Sequence, residues 1–155
     1  MRLRFATSLL LMFSTALPMG LLHAATFKVD DSASETLQAT STAQWVSLNP
    51  GRGASNDVEV RTRVQVRLNV TPWLNRQGKI YMVSTGQSTT PFVMNWTSSG
   101  ALLPNRMLQG QRALVYSGKI ASAQLSDVFH ITLRADGRHL ATPTALRFGF
   151  EIDVE

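Results

Sequence analysis

Residues 58–70 read Val58-Glu59-Val60-Arg61-Thr62-Arg63-Val64-Gln65-Val66-Arg67-Leu68-Asn69-Val70. Every even position is apolar or a threonine, and every odd position is charged or carries an amide. A β-strand sends successive side chains to opposite faces, so this period of two gives one buried face and one wet face. A helix would scatter the same apolar groups around its whole circumference. The segment is therefore one strand or two. At roughly 3.3 Å per residue it is a long ribbon, and a bend or bulge is expected near Thr62.

Reading outward, Gln44 to Leu48 is a short β candidate stopped by Asn49-Pro50-Gly51. The polar segment Thr26–Thr42, with Phe27 and Val29 in alternation, reads as an extension or an edge strand. Downstream, Pro72 and Asn75-Arg76-Gln77-Gly78 mark a turn, with Gly78 expected at positive φ. Strands are expected at 79–83, 92–96, 112–116 and 128–134. A last one carries Leu146, Phe148, Phe150, Ile152 and Val154 on one face. The pattern predicts an all-β chain: a single immunoglobulin-like β-sandwich of about seven antiparallel strands, with a small closed barrel as the alternative.

The 155 residues make one domain, with 44% hydrophobic and 16% charged residues and no Cys. Absence of cysteine excludes a disulfide framework, a thiolate metal site and a cysteine nucleophile. Arg2 and Arg4, the apolar run Phe5–Leu22 and the small residues Ala24-Ala25 have the order of a secretory signal. The expected division is a leader over 1–24 and a β-sandwich domain with a short N-terminal extension over 25–155. No later apolar stretch approaches the ~20 residues of a spanning helix, so the membrane enters only through export. With Arg2 and Arg4 gone, 13 basic residues face 10 acidic ones, and the net charge falls from +5 to +3. The basic residues are scattered along the chain, and export argues against a nucleic-acid partner.

No catalytic set is expected. His130 and His139 are the only histidines beyond the leader, and neither lies in a nucleophile or metalloenzyme motif. Glu151, Asp153 and Glu155 share a strand face but lack the enclosing loop of a calcium site. They read as edge charges that discourage sheet-to-sheet pairing. No metal and no cofactor is expected. Arg61, Arg63 and Arg67 share one face and could grip a carboxylate or sulfate, or simply pair with Glu59 and with acids of a neighbouring strand. Trp73, between Pro72 and a turn, is the best candidate for a surface ring, whereas Trp96 and Tyr116 lie in apolar runs.

A chain whose last strand runs to its end has that strand paired with something. In overall plan the sequence resembles subunits of chaperone–usher fimbriae. It has a leader, a short N-terminal extension, about seven strands and an alternating apolar C-terminal strand. It differs in carrying Val154 at the penultimate position, where an aromatic is common, and Thr142 where a glycine is usual. The resemblance implies that Phe148, Phe150, Ile152 and Val154 line a groove completed by a periplasmic chaperone. Phe27 and Val29 would belong to the strand donated to the next subunit. The expected function is a non-enzymatic structural subunit of a surface fimbria, with other fimbrial subunits and a chaperone and usher as partners. The alternative is a self-contained secreted module that binds a glycan or a host protein through Arg61, Arg63, Arg67 or Trp73.

Overall fold

A computed structural model describes residues 25–38, 41–47, 55–85, 91–139 and 147–154. The expected leader, and the side chain of His139, lie outside the described residues. Among those residues the chain forms β1 (Ala25–Val29), β2 (Glu35–Thr36), β3 (Gln44–Trp45), β4 (Asp57–Asn69), β5 (Gln77–Ser84) and β6 (Phe92–Ser98). These are followed by β7 (Asn105–Leu108), β8 (Arg112–Lys119), β9 (Gln124–Asp136) and β10 (Phe148–Val154). Each of the seven expected strands has a counterpart; β1 and β2 fall in the segment read as an extension or an edge strand, and β7 is additional.

The strands build two antiparallel sheets. One runs β1-β10-β5-β8, and the other runs β2-β4-β9-β6-β7 with β3 also on β4. Chain crossings align the layers. Asp30, just after β1, bridges to Asn69 at the end of β4, and Leu103 ahead of β7 donates its N–H to Val115 of β8. The result is an all-β sandwich rather than a closed barrel.

The even positions of 58–70 do point inward: Val58, Val66, Leu68 and Val70 are buried, and Val60, Thr62 and Val64 are half-buried. The expected bulge near Thr62 is absent. β4 pairs with β9 from Asp57↔Asp136 to Asn69↔Gln124 without a register shift. A partner of equal length lets one continuous ladder form, so nothing forces an extra residue into β4. The irregularity falls instead between Ile80 and Tyr81 in the β5–β8 pair.

Gly78 is also not the positive-φ residue of its turn; Asn75 is, at φ 64°. Asparagine tolerates this region because its short polar side chain bonds locally. Gly78 lies inside β5, where a Cβ would stand 3.0 Å from Cδ1 of Ile152, so its lack of a side chain serves packing.

Both sheets feed one core. Val29, Leu68, Ile80, Met94, Val115, Ile120, Phe129 and Ile152 have no appreciable exposure. Each such side chain contributes about 1.5–3 kcal/mol by leaving water. Trp96 stacks on Phe129 at 5.8 Å and donates its indole N–H to the carbonyl of Leu103 at 3.0 Å, so its polar atom is satisfied inside the core.

Candidate functional site

The two terminal segments singled out in the sequence meet in one sheet. β1 pairs antiparallel with β10, placing Phe27 opposite Ile152 and Val29 opposite Phe150. On the other side β10 pairs with β5 along its full length. Phe150, Ile152 and Val154 are buried, and Phe148 is half-buried with its ring edge-on to Phe92 at 6.2 Å. Val29 is fully buried. Phe27 shares its inward face yet keeps 44% exposure, with its ring 6.0 Å from that of Trp73. β1 is thus a five-residue end strand held chiefly by backbone bonds and one buried valine.

Both acids on the outward face of this sheet are matched by cations. Lys28 stands opposite Glu151, and Lys79 opposite Asp153. Arg112 reaches Glu151 at 3.3 Å and Asp153 at 2.9 Å while its guanidinium lies 4.3 Å from the centre of the Tyr81 ring. The Asp153 carboxyl is held below the usual carboxylate range, first by its bond from Arg112 and then by the Thr26 hydroxyl at 2.6 Å, against a partial burial that raises it. The expectation that Glu151 and Asp153 guard a sheet edge is therefore overturned. β10 is an interior strand, and these acids tie β1, β10 and β8 together.

The arginines of β4 have three different fates. Arg61 bonds Glu59 at 2.6 Å, and the same carboxylate receives Arg134 of β9 at 2.8 Å. Those two bonds, Arg134 first, depress the Glu59 carboxyl, whose side chain is 12% exposed. Arg67 is drawn to Glu35 of β2 at 3.1 Å and to the carbonyl of Ala33 at 3.2 Å. Arg63 forms no ion pair with a described residue. Pairing with neighbouring acids accounts for Arg61 and Arg67 and leaves Arg63 without an ion partner among the described residues.

Trp73 is not a surface ring. It ends a 3-10 turn at Thr71–Trp73, is 8% exposed and packs in the core. Pro72 is the middle residue of that turn, and the Trp73 indole joins the core cluster between the sheets. The exposed tryptophan is Trp45, at 50%. His130 is exposed on β9, as expected.

Asp127 lies just outside the expected strand 128–134, so the alternation there gives it no face. The strand begins at Gln124, so Asp127 occupies an inward position between Leu125 and Phe129. A lone aspartate within an apolar row is the signal that could have found it. Its carboxylate accepts the Ser98 hydroxyl at 2.5 Å, the backbone N–H of Leu102 at 2.8 Å, of Val128 at 2.7 Å and of Ser99 at 3.2 Å. Burial raises its pKa, but those bonds outweigh burial and hold it below the ordinary value. A Cβ on Gly100 would stand 3.0 Å from one of its oxygens, so the loop wraps the carboxylate closely. With all its oxygens engaged by donors, Asp127 is a clamp on the β6–β7 loop.

No cluster of three or more metal-ligating side chains occurs among the described residues. No helix among them is long and apolar enough to cross a membrane. In comparisons with family models, with curated proteins and with solved structures, nothing matches this chain.

Proposed function

We propose that the chain is an exported, non-enzymatic subunit of a surface fimbria, assembled by β-strand complementation around an immunoglobulin-like sandwich. The observation that supports this most is the β1–β10 pair. β1 is an end strand with one buried side chain, and it covers Phe150 to Val154, whose inward side chains are core. Without β1, those residues would present unpaired backbone groups beside Phe150, Ile152 and Val154. Such an edge takes up any strand offering matching main-chain bonds and an apolar residue in alternation. An equivalent strand from another copy would fill the slot in a fibre, and a strand from a periplasmic chaperone would fill it in transit to an usher.

A second reading, a self-contained secreted module for a glycan or host protein, is favoured by the fact that β1 fills the slot from within its own chain. Removal of residues 25–30 takes out the buried Val29 and lowers the melt under either reading, so the two part on polymerisation of the shortened chain and on exchange of β1 between copies. Under the first, the shortened chain polymerises. Differently labelled full-length copies also exchange β1 over time. A shortened chain that stays a monomer, with full-length copies that do not exchange β1, would overturn it.

A further inference from the structure

The outward face of the β4-β9-β6-β7 sheet collects cations that are far apart in the chain. Cross-strand register places Arg61, Thr132, Asn95 and Arg106 in one row over four strands. The adjoining row is Arg63, His130 and Thr97, and on the other side stand Glu59, Arg134, Val93 and Leu108. Neighbouring strands are about 4.8 Å apart, so the row spans about 14 Å from Arg61 to Arg106. Arg61 and Arg134 share the one carboxylate of Glu59. Arg63 and Arg106 are exposed and form no ion pair with a described residue. The acids Asp57 and Asp136 lie one row beyond Glu59, where Arg138 holds Asp136 at 2.5 Å. The other sheet's outward face carries Lys28, Lys79, Arg112 and Lys119 against Glu151 and Asp153, but there the one arginine, Arg112, is held by both acids.

A groove of about 930 Å³ opens at one end of this face, lined by Asn95, Arg106, Gln109 and Arg134 and, at its far end, by Asp57 and Asp136; Arg63 lies outside it, along the neighbouring row. We propose that this face binds an acidic oligosaccharide, with Arg106 and Arg63 seating its carboxylate or sulfate groups. Arginine presents a planar fork of donors to such anions. Between the arginines the floor is made of Asn95, Thr97 and Thr132, whose amide and hydroxyls match sugar hydroxyls. A protein or membrane partner would call for aromatic or apolar anchors. On these four strands the exposed large apolar side chain is Leu108, while Leu37 and Val46 stand at the margin, each donating its N–H to the outer edge of β4 at Arg63 and Asp57. The proposal uses no residue of β1 or β10, so it stands or falls independently of strand complementation.

The test is calorimetric titration of the full chain at fixed ionic strength. The probes are a heparin octasaccharide, a hyaluronan octasaccharide, an uncharged dextran oligomer, phosphatidylserine vesicles and a single-stranded DNA oligomer. Binding of the heparin or hyaluronan fragment, and none of dextran, is expected; the fragment that binds tells sulfate from carboxylate recognition. Arg106→Gln and Arg63→Gln each weaken that binding roughly tenfold, the loss of one charge-assisted hydrogen bond. Arg106→Lys retains part of it, and Lys79→Gln on the opposite sheet changes nothing. Asn95→Asp, at an exposed position in mid-row, abolishes binding with the melt unchanged. Failure to bind either fragment, equal weakening by Lys79→Gln, or tighter binding of vesicles or DNA would overturn the proposal. So would arginine variants that alter only the oligomeric state, because the face would then join copies of the chain.

Discussion

Val29 stands opposite Phe150 across the β1–β10 pair, and both side chains are buried. Phe27, two residues earlier on the same face, stays 44% exposed. The smaller residue is therefore the anchor of β1. Val29→Ala should cost about 1–3 kcal/mol through lost burial and the cavity left behind, and Phe27→Ala clearly less. Urea midpoints of the two variants decide this; equal losses would contradict it.

Asp127 is the buried contributor to the acid limb of stability, beside Glu59 and Asp153, whose carboxyls are also held low. Its carboxyl titrates below the unfolded value of about 3.9, so the folded state binds its proton less readily than the unfolded chain does. The stabilisation is therefore complete above about pH 4 and is lost as pH falls through the lowered folded value. Asp127→Ala strands the N–H groups of Leu102 and Val128 and the Ser98 hydroxyl, for an expected loss of about 2–4 kcal/mol at neutral pH. Melts between pH 2 and 7 should show a shallower acid limb for Asp127→Asn than for the parent.

Trp73→Ala should behave as a core deletion. The residue is 8% exposed within the sandwich, and large aromatic truncations cost about 3–5 kcal/mol. A variant with an unchanged melt and a lost ligand would instead restore the surface-ring reading.

Gly137 accommodates Trp45. A Cβ there would come within 2.5 Å of the far edge of the indole. Because Trp45 is half in water and belongs to a two-residue strand, its ring can swing away. Gly137→Ala should therefore shift tryptophan emission to the red at a cost under about 1 kcal/mol, whereas overpacking a closed site costs about 1–3 kcal/mol. Trp73 and Trp96 are buried, so the shift reports Trp45.

Strands and their faces were readable in the chain because alternation is local: a residue's side follows from its parity within a strand. That is why the inward face of the ribbon at 58–70, with Val66 and Leu68, and the shared face of Phe150, Ile152 and Val154 are legible in the sequence. Which strands lie side by side depends on pairings over long sequence separations, which no local pattern encodes. Register made β10 interior to its sheet, brought Asp127 to the 98–102 loop, and gathered Arg61, Arg63, Arg106 and Arg134, scattered in the chain, on one face. Trp73 and Asn75 turned on backbone geometry at a single turn. Alternation by itself determined an all-β chain with one wet and one dry face per strand. The tertiary structure decided which arginines share a wet face and which edge β1 covers, because both follow from the order in which strands hydrogen-bond.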